Sequence, residues 1–204
     1  MEEPRVMSVS RDHTHRFSKT PVESITLVAG IGVEGDAHAG PLVKHRSRVR
    51  RDPEQVNLRQ VHLIHSELFA EAAAVGYELH PGDLGENVLT AGIDLLQLGV
   101  DTRLRFGELG EDAERAVIRV TGLRNPCAQI NTFRPGLLKV VLSRADGTPT
   151  DEPAPSTGST EALTSPVIRK AGVMAVVEHG GVVRPGQRIT VIPAPGEYRP
   201  LEPV

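Results

Sequence analysis

Cys127, the chain's only cysteine, stands in Arg124-Asn125-Pro126-Cys127, directly after a segment with strand character. A thiolate is soft and nucleophilic. It suits a heavy transition metal or a transferable sulfur, and a nearby arginine favours thiolate over thiol. A lone cysteine is as often a small buried hydrophobe, so the residues alone leave both roles open. A second concentration of chemistry is 30–40 (GIGVEGDAHAG), where Asp36 and His38 sit among glycines that let a ligand approach the backbone closely. In extended backbone these two side chains share a face and could share a ligand or a proton. A turn of purely structural use is the alternative. The segment is no dinucleotide fingerprint, because no helix follows it and no downstream acidic partner is evident.

Glu86 and Asn87 follow 81–85 (PGDLG), so a turn presents a carboxylate and an amide, donors and acceptors that match a heterocycle edge. Such side chains equally often bond their own backbone. His62 and His65, with Asp36 and His38, are zinc-ligand types. Their offset of three, inside a strand-like segment, points the two imidazoles to opposite faces, so no zinc centre is expected. The basic run 44–51 (KHRSRVRR), with Arg59 beyond it, reads mainly as a solvated loop. One or two of its arginines, Arg48 or Arg59 among them, can hold a phosphate through paired hydrogen bonds. No aromatics are interleaved to stack bases, which argues against nucleic acid.

These residues need a scaffold, and short apolar segments punctuated by Gly, Pro and Asp predict a mainly β one. Strands are expected at 24–29, 60–64, 103–106, 116–121, 173–177 and 188–192, the last two joined as a meander closing a barrel. A helix is predicted from Ser66, as its cap, to Gly76, which ends it. A second is predicted over 135–143, weakened by Gly136 and its valines. The stretch 145–166 carries too few large apolar residues to repay ordering and is predicted to be a mobile, protease-sensitive loop.

With 204 residues, one domain (1–204, core about 21–192) is the default. Aromatics make up only 3% of the chain, so the core must be aliphatic. A net charge of -3 provides no global attraction for nucleic acid. One cysteine, no basic-then-apolar leader and no apolar run of about 18 residues together predict a soluble cytoplasmic protein.

In order, GVEGDAHAG, RQVHLIHSELF, PGDLGENV, RNPC and AVVEHGGVVRPGQRI span most of the chain. The set resembles the MOSC family, the molybdenum-cofactor sulfurase C-terminal domain. The resemblance implies a MOSC-type β-barrel with a few peripheral helices, a bound molybdenum cofactor (molybdopterin), and a functional cysteine matching Cys127 as molybdenum ligand. It further implies an oxidoreductase that reduces N-hydroxylated substrates. In that reading Asp36 and His38 act at the reacting groups, while Arg48, Arg59, Glu86, Asn87 and Arg124 contact the cofactor. A separate flavin or iron-sulfur electron donor would be required. The alternative the family offers is a sulfur carrier or cofactor-binding module with a Cys127 persulfide. Nothing resembles a cysteine desulfurase domain, so pyridoxal phosphate is not expected.

Overall fold

The computed structural model describes residues 3–44, 52–107, 115–144 and 166–204. Thirteen strands are described: β1 (Arg5–Arg11), β2 (Thr20–Val22), β3 (Ile25–Val28), β4 (Gly32–Val33), β5 (Val61–His65), β6 (Val88–Ala91), β7 (Arg103–Phe106), β8 (Val117–Leu123), β9 (Leu142–Arg144), β10 (Val167–Arg169), β11 (Val173–His179), β12 (Gly181–Val183) and β13 (Ile189–Ile192). Eight of them form one sheet in the order β13-β7-β8-β11-β5-β6-β1-β2, with smaller sheets β10-β9 and β12-β3-β4. All neighbouring pairs are antiparallel except β5 and β6. The mainly β expectation is met, and all six predicted strands are present.

The barrel is not: the sheets are open. The predicted meander fails because β12 leaves the main sheet to pair with β3, while β13 pairs with β7 and β11 lies between β8 and β5. Ahead of β13, an isolated bridge joins Arg5 to Arg188, flanked by backbone hydrogen bonds of Val6 with Gly186 and Gln187 and of Ile189 with Pro4 O. Gly186, at a positive φ, makes the turn there. At the other edge β2 contains Pro21, which has no N–H to donate.

The central strands are buried on both faces. On β5, Val61 and Leu63 belong to one apolar cluster with β7 and β8, while Ile64 belongs to a second beneath the helices. Those helices are α1 (Glu67–Ala74), α2 (Gln129–Phe133) and α3 (Leu138–Val141). Gly76 ends α1 as expected: at φ +91° it lets its own N–H and that of Tyr77 bond back to Ala73 and Ala72. Ser66 does not cap it. Its backbone is already helical and its hydroxyl lies toward Glu67 rather than a backbone amide. The helix predicted over 135–143 shrinks to α3, because the chain turns extended at Leu142 to enter β9. The segment 145–165 and Arg48 lie outside the described residues. Among the described residues no helix is long and apolar enough to cross a membrane.

Candidate functional site

His62, Asn87 and Met174 project from the helix-bearing face of the sheet, the face that also carries Ile64 and Leu89. Over them lies a cavity of about 250 Å³, completed by Arg16, Phe17 and Lys19 before β2, His38 after β4, and Arg124, Asn125, Cys127 and Gln129 after β8. Cys127 stands in this cavity, half-buried, where the end of β8 and the start of α2 fix it. Its Sγ–H donates to Gln129 Oε1 at 3.5 Å.

Arg124 is 8% exposed, anchored by its N–H to Gly172 O (2.9 Å), and its guanidinium lies 5.8 Å from the Phe17 ring centre. Its Nη1 is buried without a hydrogen-bond partner. Burial pulls the guanidinium below its ordinary range, opposed by the Cys127 and Glu86 charges. An unpartnered buried donor is costly, which marks it as a group awaiting an acceptor.

Asp36 and His38 are brought together, but by a turn rather than an extended strand. Asp36 Oδ1 accepts from the His38 amide (2.9 Å) and lies 3.2 Å from His38 Nδ1. On the other side Asp36 Oδ2 pairs with the buried Lys19 Nζ at 2.7 Å and accepts from Asn87 Nδ2 at 3.0 Å. Burial would raise the Asp36 carboxyl, yet hydrogen bonds from His38 and the Lys19 charge outweigh it and hold it well below the usual carboxylate range. Burial pulls the Lys19 ammonium down, with Asp36 opposing. With its Nδ1–H directed at a permanent carboxylate, His38 keeps Nε2 free for a ligand. Asn57 pins the turn by donating to His38 O and Gly40 O.

Of the other predicted residues, Asn87 and Arg59 line the cavity. Arg59 donates to Val204 O at 3.0 Å. Glu86 is not on the wall: it is 1% exposed, with Oε1 accepting from Gly82 N at 2.5 Å and Oε2 unpartnered. Burial raises its carboxyl. The two imidazoles of β5 diverge, His62 into this cavity and His65 to another on the opposite face. Sequence reasoning missed Lys19, Arg16, Phe17, Asn57 and Gln129. Only the turn glycines hinted at Lys19 and Phe17: a Cβ on Gly82 would stand 2.1 Å from Lys19 O, and one on Gly85 2.4 Å from Phe17 O.

Five cations line the cavity, Arg16, Lys19, Lys44, Arg59 and Arg124, and no carboxylate does among the described residues. A soft thiol beside an unpartnered guanidinium and surplus positive charge fits a metal-bearing anionic cofactor. The family model for the MOSC domain matches residues 35–190. The chain belongs to the MOSC-domain family. Solved structures agree on the fold. The YuaD protein of Bacillus subtilis is 22% identical at a TM-score of 0.65, covering 93% of this chain and 96% of its own. YiiM of Geobacillus stearothermophilus is 16% identical at 0.54, covering 93% and 75%. YiiM of Escherichia coli is 17% identical at 0.53, covering 96% and 73%. Among curated proteins, no sequence matches the chain. At these identities the likeness carries the fold, and what this MOSC domain does must be argued from its cavity.

Proposed function

We propose that this MOSC protein binds a molybdenum cofactor in the Cys127 cavity and reduces N-hydroxylated substrates there. The observation that carries the reading is the half-buried Cys127 thiol in a carboxylate-free cavity beside the unpartnered Nη1 of Arg124. When bound, the molybdenum centre supplies two-electron reduction at its metal. Cys127, as thiolate, holds that metal. Arg124 holds the cofactor's phosphate, with Arg59 and Lys44 contributing charge. Converting an amidoxime to an amidine breaks the N–O bond, takes up two electrons and two protons, and releases the oxygen as water. Asp36 orients the His38 ring through Nδ1, and His38 Nε2, after taking a proton from solvent, would pass it to the departing oxygen, water supplying the second. The electrons come from a separate flavin or iron-sulfur donor.

The test is Cys127→Ser, made in cells that synthesise the cofactor. A nearly isosteric change should leave the fold in place, at a cost of about 1–3 kcal/mol if the hydroxyl goes unpaired. Reduction of benzamidoxime is expected to fall to background, and the metal's spectrum to change. Full activity with an unchanged spectrum sinks the ligand assignment. A sulfur-bearing Cys127 detected by mass, in protein that turns over no substrate, would replace this reading with a sulfur carrier.

A further inference from the structure

We propose that the cavity around His65 binds a compact organic cation, an ammonium, amidinium or guanidinium carried on a small apolar body. It opens on the face of β5 opposite to His62, so it is separate from the Cys127 cavity and independent of what happens there. The cavity measures about 440 Å³, reaches down to His65 at the end of β5, and is walled by Ile93 and Leu96. That is room for a small ligand with an apolar side.

His65 is the first sign of an absent partner. It is 8% exposed, its Nδ1 is wholly buried without a hydrogen-bond partner, and none reaches the ring's other nitrogen among the described residues. Burial lowers its pKa and keeps the ring neutral, so in either tautomer one nitrogen carries a lone pair ready to accept. A buried acceptor with no donor is costly. An N–H donor entering the cavity would relieve it.

The charges around the ring say which kind of donor. Glu67, Asp94 and Glu71 act on His65 from one side of the balance and Lys170 from the other, and all four line the cavity. Lys170 Nζ pairs with Glu71 Oε2 at 2.6 Å, which accounts for one carboxylate. Glu67 Oε1 accepts from Gly92 N at 3.0 Å with Oε2 lying 3.5 Å from the Ser66 hydroxyl, and Asp94 Oδ1 accepts from Leu96 N at 3.1 Å. Those donors are neutral, so the Glu67 and Asp94 charges stay uncompensated. Glu67 and Glu71 also stand four residues apart on α1, a spacing at which like charges repel. The first turn of a helix welcomes Glu67, and capping the turn at Leu95–Gln97 employs one oxygen of Asp94. Neither role calls for excess negative charge above an unpartnered imidazole. Among the described residues no set of acids and histidines converges as metal ligands, and the apolar walls suit an organic body.

The experiment titrates benzamidine, a cation at neutral pH, into the full-length protein, followed by calorimetry and by the imidazole resonances in NMR. The five cations of the Cys127 cavity repel the probe from that site. One benzamidine per chain is expected to bind, to shift the His65 ring signals, and to weaken at high salt. Benzamide, the uncharged isostere, should bind about tenfold less tightly. The double variant Glu67→Gln, Asp94→Asn keeps the oxygens that accept from Gly92 N and Leu96 N while removing both charges. It should retain the melting temperature of wild type and lose about tenfold in affinity. Lys170→Met, which removes the competing ammonium, should gain about threefold. No saturable binding up to about 10 mM, unmoved His65 signals, equal affinity for benzamide, or full affinity in the double variant overturns the proposal. So does displacement of benzamidine by Mg²⁺ or Ca²⁺ beyond what sodium achieves at equal ionic strength, because the site would then belong to a hard metal ion.

Discussion

His62 shows how one buried residue on the cavity floor ties the site to the stability of the protein. Its Nε2–H donates to Ala171 O at 2.7 Å, and burial, aided by the Arg124 charge, holds its pKa well below the ordinary 6.5. In the folded state it stays neutral where the unfolded chain takes up a proton. Its contribution is therefore fully present above the ordinary histidine range and is lost as pH falls below it. His65, lowered by burial in the same direction, adds to this trend, while Glu86, raised by burial, works oppositely, favouring the folded state less as pH rises. The melting temperature is expected to fall between about pH 7.5 and pH 5, and His62→Gln to flatten that slope. An unchanged slope in the variant would place the titration elsewhere. The divergence of His62 and His65 was legible in the sequence, because a period of two is a property of any strand. The ion pair of Lys19 with Asp36 was not, since nothing local in RFSKTP announces a buried lysine.

At the scale of elements, the turns do the positioning. Gly172, immediately before β11, has φ +87°, and its carbonyl accepts the Arg124 amide at 2.9 Å. A Cβ there would stand 2.0 Å from Leu63 O. Gly172→Ala is expected to cost at least about 1–3 kcal/mol in denaturant unfolding, from left-handed backbone strain plus the clash. It should also weaken cofactor retention, because it moves the anchor of Arg124. Strands such as β7, with Leu104 and Phe106 inward and both arginines outward, were readable from alternation. Elements fixed only by distant partners were not. β1 pairs with β6 some eighty residues later, β12 with β3, and α2 is five residues long, too short for a periodic signal. The lost Ser66 cap has a similar cause, as the amide of that residue is committed to Thr90 O across the sheet.

For the whole molecule, the main sheet separates two apolar clusters that share its central strands. Leu104 is fully buried in one and Leu68 in the other. Because β5 and β6 contribute to both, neither cluster can dissolve without the other. Leu104→Ala and Leu68→Ala are each expected to cost about 2–5 kcal/mol while unfolding remains a single calorimetric transition. Two separate transitions would instead divide the chain into independently stable parts. The mainly β class was legible in the spacing of turn residues, but barrel closure was not. Closure depends on whether the outermost strands meet, and the composition of β2 and β13 does not encode that.

The place of β11 in the strand order has a consequence for how the protein is made. Residues 173–179 fill the gap between β5 and β8, so the sheet has no centre until most of the chain has been synthesised. At ribosomal speeds of about 5–20 residues per second, β5 waits several seconds for its antiparallel partner. From its own synthesis until β11 arrives, each of β5 and β8 presents an open apolar edge, the geometry that recruits strands from other molecules. A nascent chain released before Val173 should accumulate as aggregate and engage holding chaperones, whereas one released after His179 should not.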